Sequence, residues 1–142
     1  MTRIDFYITE ETSADAAIRL ACRIAEKAYR QQLSTHIHTH SSEQAEQVDE
    51  LLWGFRSESF IPHEWSEQRL ATDHLPPPVT IGLQPPTDSA IEVVINLAAE
   101  VPLFFSHHNR LAEIIDGNGK VAGRKRYKFY KERGYALNTH TL

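Results

Sequence analysis

Between Lys120 and Arg133 the chain reads KVAGRKRYKFYKER, which holds seven of its fifteen Lys and Arg residues and one acid, Glu132. Seven cations less one acid give this segment +6, and since the whole chain is −4 the remainder carries −10. A basic element on an acidic body suits an anionic ligand. Read as a helix at 100° per residue, the segment brings Lys120, Arg124, Tyr127 and Lys131 within about 60° of one another, with Lys128 on the flank. Arg offers a planar fork to a carboxylate or phosphate, and Tyr offers flat apolar area. Such a face fits an anionic group attached to something apolar. It also fits a solvated basic helix face with no ligand at all.

Other residues with chemical potential are more scattered. His36, His38 and His40 alternate and would point to one side of a strand, as ligands of a transition metal could. Against a metal, no carboxylate pattern completes a catalytic zinc site, and exposed His on a strand face is common. His107-His108, after Phe104-Phe105, reads as a solvated turn. The segment ELLWGFRSESFIPHEW (50–65) carries Trp53, Phe55, Phe60 and Trp65, too many aromatics for one corner to bury, so it is either a core corner or an apolar docking patch. Cys22 is the sole cysteine and sits among Ile18, Ala21, Ala25 and Ala28, which predicts a buried thiol rather than a nucleophile.

The elements that must position these residues follow from periodicity. RIDFYI (3–8) alternates as a first strand. A helix follows, capped by Thr12 or Ser13, with Ile18, Ala21, Cys22, Ala25, Ala28 and Tyr29 inward and Arg19, Arg23, Lys27 and Arg30 toward water. Residues 33–39 form a second strand, and SSEQ, with Ser41 three before Gln44, opens a second helix running to about Trp53. Strand, helix, strand, helix at this spacing indicates right-handed crossovers and parallel strands. Phe60-Ile61 reads as a short strand and 66–78, ending in three prolines, as a surface loop. VTIGL (79–83) and IEVVINL (91–97) are strands, the latter apolar enough to be central and covered on both faces. RLAEII (110–115) is a further strand, DGNG (116–119) a turn, the basic segment a last helix over about 119–133 ending at Gly134, and YALN an edge strand. The expected fold is one α/β domain over 1–142, with a mostly parallel, mixed sheet flanked by helices.

At 142 residues the chain is long enough for one real core, and its 41% hydrophobic and 24% charged residues are those of an ordinary globular protein. Neither a signal-peptide pattern nor an apolar run of membrane-spanning length is visible, so a cytoplasmic location is expected. The sequence has no G-x-x-x-x-G-K-[ST], G-x-G-x-x-G or G-x-S-x-G, so a Rossmann-like pattern comes without a phosphate loop or nucleophile elbow. No cofactor is expected.

Several features together resemble the chi subunit of bacterial DNA polymerase III holoenzyme: the RIDFYI start, VDELLW followed by ESFIPH (48–63), the strand VVINL, and RKRYKFYKERGYALNTH (124–140). The resemblance runs end to end and in order. It implies a non-catalytic clamp-loader accessory protein that links the replicase to single-stranded-DNA-binding protein by gripping that protein's acidic, Phe-terminated tail. Lys120, Arg124, Tyr127 and Lys128 match the family positions that hold the tail, and Lys131 shares their helix face. Trp53 and Phe60, with the adjoining Ile61 and Pro62, match positions used against the psi subunit or, in some relatives, a competing helicase. The segment DGNGKV is shorter than in the best-known members, which leaves open what forms the apolar wall of the tail pocket. Two rivals stand beside this expectation. One is direct binding of single-stranded nucleic acid by the basic helix, although a stacking platform usually has more than one aromatic. The other is a metallohydrolase using His36, His38 and His40.

Overall fold

The computed structural model describes residues 1–54, 61–66, 79–86 and 90–142. They build one seven-stranded sheet with three α-helices, in the chain order β1 (Arg3–Ile8), α1 (Ala16–Arg30), β2 (Thr35–His38), α2 (Ser42–Gly54), β3 (His63–Trp65), β4 (Val79–Gly82), β5 (Val93–Asn96), β6 (Arg110–Ile115), α3 (Lys120–Glu132) and β7 (Leu137–Thr141). A 3₁₀-helix, Leu103–His107, lies between β5 and β6. The strand order is β3-β4-β2-β5-β6-β1-β7, and every pairing is parallel. Parallel pairing needs helices on both faces, and the cores divide accordingly. Ile18, Ala21, Cys22 and Ala25 of α1 and Ala45, Val48 and Leu52 of α2 pack on Ile37, Ile81, Val93 and Ile95. On the opposite face Tyr130 of α3 and Phe105 pack on Ile4, Phe6, Val94, Leu111 and Ile115. β5 is the middle strand and sends Val93 and Ile95 to one core and Val94 to the other, as its unbroken apolar run predicts.

Several local expectations change. The N-cap of α1 is Asp15 and makes no side-chain capping bond, while Ser13 lies outside the helix. Arg19 engages both side chains: its Nη2 donates to Ser13 Oγ at 3.0 Å and its Nε lies 3.2 Å from Asp15 Oδ2, so neither the expected cap Ser13 nor the observed N-cap Asp15 turns to the helix N–H groups. At α2 the cap forms as the sequence suggests, with the Gln44 N–H donating to Ser41 Oγ at 3.1 Å. Of the short strand expected at Phe60-Ile61, the described part, Ile61, is a fully buried core residue ahead of the strand His63–Trp65. Phe60, Phe55 and the loop over 67–78 lie outside the described residues. At the other end of the chain, Gly134 takes φ +82°, a left-handed conformation that costs glycine little, and turns α3 into the edge strand β7.

Cys22 is fully buried, and burial pushes its thiol up to about 12. Such a thiol is inert at neutral pH.

Candidate functional site

α3 carries six of the basic run's seven cations, and packing decides which of them reach solvent. Gly123, Arg126 and Tyr130, at three- and four-residue spacing, are buried against the sheet. A Cβ on Gly123 would lie 2.5 Å from Ile115 Cδ1, so glycine is what lets the helix sit this close to β6. Arg126 is turned inward: its Nε donates to Glu113 Oε1 at 2.9 Å and its Nη1 to the Ala99 carbonyl at 2.8 Å. Asn96 Nδ2 also donates to Glu113 Oε1, at 2.9 Å, and the Tyr130 hydroxyl donates to Glu113 Oε2 at 2.5 Å. Burial pushes the Glu113 carboxyl above its ordinary range, opposed by the Arg126 charge and by these hydrogen bonds. Arg126 therefore anchors the helix and is lost to any ligand, whereas Arg124, Lys125, Lys128 and Lys131 remain exposed.

The inward packing leaves a groove of about 350 Å³ between α3 and the β1–β7 edge. Phe6 and Ile8 of β1 and Ile115 of β6 form its apolar floor, Lys120, Gly123, Arg124 and Tyr127 its α3 wall, and Thr139 and Thr141 of β7 the opposite side. Tyr127 meets Phe6 edge-on, with ring centroids 5.3 Å apart, which fixes the phenol as part of the wall. Two cations thus rim an apolar trough, an arrangement that accepts an apolar ring with a carboxylate beside it. Of the five sequence-selected residues, Lys120, Arg124 and Tyr127 meet here. Lys128 and Lys131 stand on the exposed part of the helix outside the groove lining, and Lys128 Nζ is 3.8 Å from Glu132 Oε1. The sequence reading missed Phe6, Ile8, Ile115, Thr139, Thr141 and Glu10. Alternation in RIDFYI already placed Phe6 and Ile8 on one face, but nothing local indicated that α3 would leave part of that face open.

A smaller cleft of about 140 Å³ lies on the α1 face beside Arg3, Asp5, Tyr7, Lys27, Arg110 and His140. Its central carboxylate, Asp5, is already held by Arg3 Nε at 3.1 Å and by His140 Nε2 at 3.0 Å.

At the far end of the molecule Trp53 is 60% exposed at the end of α2. Its ring meets His63 edge-on at 5.2 Å. His63 is itself fixed by the Ile61 carbonyl, 2.6 Å from Nδ1, and by Asp49 Oδ1, 3.0 Å from Nε2. Ile61 lies in the core and Pro62 is partly exposed beside it.

The histidines are arranged differently from expectation. His36 is fully buried rather than exposed on a strand face, with Nδ1 2.8 Å from Thr80 Oγ1. Burial pushes its pKa down to about 3, helped by the neighbouring His38 and His108. His40 is exposed beyond the end of β2. Among the described residues no group of three His, Cys, Asp or Glu side chains is placed to hold a metal ion. His108, expected in a solvated turn, is buried with Nδ1 2.7 Å from the Ile91 carbonyl, because the 3₁₀-helix folds it back over the sheet; His107 alone faces solvent.

These features define an α/β protein of the parallel class whose candidate site is a cation-rimmed apolar groove. Comparison with known sequences then specifies the family. Residues 1–138 match the family described as DNA polymerase III chi subunit, HolC. The chain is 38% identical over 144 residues to the DNA polymerase III subunit chi of Pseudomonas aeruginosa, covering 100% of this chain and 98% of that one. It is 29% identical to the Haemophilus influenzae subunit chi, covering 96% of this chain and 95% of that one. With the Escherichia coli subunit chi the identity is 28%, covering 99% of each chain. The chain belongs to the DNA polymerase III chi subunit family and is a replication accessory subunit, a non-catalytic part of that polymerase complex. Among the described residues no helix is long and apolar enough to cross a membrane.

Proposed function

We propose that this protein links the replicase to single-stranded-DNA-binding protein by seating that protein's acidic, Phe-terminated tail in the groove between α3 and the β1–β7 edge. The observation that carries this reading is the meeting of Arg124 and Lys120 with Phe6, Ile8, Ile115 and Tyr127 around one trough. A terminal phenyl ring would bury on the apolar floor while the carboxylate next to it takes the Arg124 fork. Coulomb attraction alone is screened within about 8 Å at physiological salt, so charge gives orientation and on-rate. Selectivity comes from the buried ring. In the same proposal the exposed Trp53 and the partly exposed Pro62 belong to a second surface, to which the sequence resemblance adds Phe60, for the psi subunit where the organism has one, or for a helicase that uses the same patch. The two surfaces sit on different parts of the fold, α2–β3 and α3–β7, as an adaptor requires. A cytoplasmic location and a single domain over 1–142 complete the reading.

Calorimetric titration of an acidic, Phe-terminated peptide into the wild type, Arg124→Ala and Arg124→Lys tests it. A charge-assisted hydrogen bond contributes about 1.5–3 kcal/mol, so Arg124→Ala is expected to lose about tenfold or more in affinity. Arg124→Lys should recover only part, because the planar fork is gone. Equal affinity for all three proteins would exclude the groove as the tail site.

A further inference from the structure

Lys120 Nζ lies 2.5 Å from Glu10 Oε2, so one of the two cations lining the groove is already engaged by a carboxylate of this chain. Among the described residues that line the groove, Glu10 is the one acid. The backbone fixes its position. The Gly117 N–H donates to the Glu11 carbonyl at 2.8 Å, and Asn118 Nδ2 donates to the Thr12 carbonyl at 2.9 Å. The Glu10 carbonyl passes 2.5 Å from where a Cβ on Gly117 would stand, a close approach that only glycine permits. The loop after β1 is thereby stitched to the turn before α3. That helix opens on Lys120 with no acid in its first turn, whereas a helix N-terminus favours negative charge; Glu10 supplies it from another element. Arg124, by contrast, has no carboxylate partner among the described residues.

We propose that Glu10 is a built-in competitor that sets how strongly the groove takes acidic side chains. In the free protein it occupies Lys120. A ligand carboxylate that approaches Lys120 must displace it, and the two carboxylates repel if both stay. A terminal carboxylate on Arg124 meets no such competitor. The groove thus favours the terminal carboxylate and its ring over the acids that precede them, a discrimination that rests on the peptide-tail reading of this site.

The test uses full-length protein, calorimetry at low salt, and two synthetic peptides ending in Phe, one with two preceding aspartates and one with asparagines in their place. Glu10→Gln is an exposed, isosteric change. It should tighten the aspartate peptide about threefold or more, the scale of an exposed ion pair, and change the asparagine peptide little. The gain should vanish when Glu10→Gln is made in a Lys120→Met background. Unchanged affinity of Glu10→Gln for an aspartate peptide that the wild type binds overturns the competitor and leaves the tail site standing. A gain that persists without Lys120 overturns it too, since it would report the long-range field of the protein rather than a contest for one cation. Failure of both wild type and Glu10→Gln to bind either peptide removes the tail site itself, and the competitor with it.

Discussion

Arg126 Nε stands 2.9 Å from Glu113 Oε1 with both side chains buried, so the basic run of α3 is tied to the sheet through one of its own cations. Removing one partner of such a pair leaves the other uncompensated, which costs about 3–5 kcal/mol. Arg126→Met is therefore expected to lower the unfolding free energy by that amount in urea titration at pH 7. The deficit has a pH dependence of known sign. Without Arg126 the folded Glu113 pKa rises further above its unfolded value, so the carboxyl binds its proton more readily in the folded state. The variant's deficit should shrink as pH falls toward the ordinary glutamate range near about 4.3, and a deficit that grew instead would contradict the assignment.

His36 makes the opposite prediction for the intact protein. Its folded pKa of about 3 lies below the ordinary value of 6.5, so the unfolded chain takes up a proton first as pH drops. Stability from this group is full above about pH 6.5 and declines on acidification until the folded form titrates. Between pH 7 and pH 5 the loss is about 2 kcal/mol. His36→Asn, compared with wild type in urea at both pH values, should show a smaller loss over that interval. An identical loss would assign the acid sensitivity to other groups.

Trp53 tests the proposed second surface. Being mostly exposed, it should tolerate Trp53→Ala with a stability change within about 0.5 kcal/mol. Loss of an interface aromatic often costs 2 kcal/mol or more, about 30-fold in affinity, so capture of the psi or helicase partner by the immobilised variant should fall sharply. Phe60→Ala, chosen from the sequence resemblance, is expected to reduce capture in the same way. Unchanged recovery with both variants would take this patch out of the interface.

Much of this was legible in the sequence because the signals are local. Alternation in RIDFYI, the three- and four-residue stripe through Ile18, Ala25 and Ala28, and Gly134 closing the basic helix each depend on neighbours along the chain, and the structure follows them. The wheel that grouped Lys120, Arg124 and Tyr127 needed only helical geometry, and these three do meet at one groove. What was illegible depends on residues distant in sequence. Arg126 looks like its basic neighbours until Glu113 and Asn96 are brought beneath it from two strands. His36 and His108 read as solvent-facing until Phe104 of the 3₁₀-helix packs against both. Ser13 reads as a helix cap until Arg19, from the helix itself, takes its hydroxyl.

The most direct measurement compares, on one calorimeter and one protein preparation, an acidic peptide with a C-terminal Phe and the same peptide lacking that residue. Burying the ring on Phe6, Ile8 and Ile115 should contribute about 1.5–3 kcal/mol, so removal of Phe is expected to weaken binding about tenfold or more. Equal binding of the two peptides, or strong binding of bare single-stranded DNA where the Phe-terminated peptide binds weakly, would contradict the adaptor account and assign the basic helix to nucleic acid.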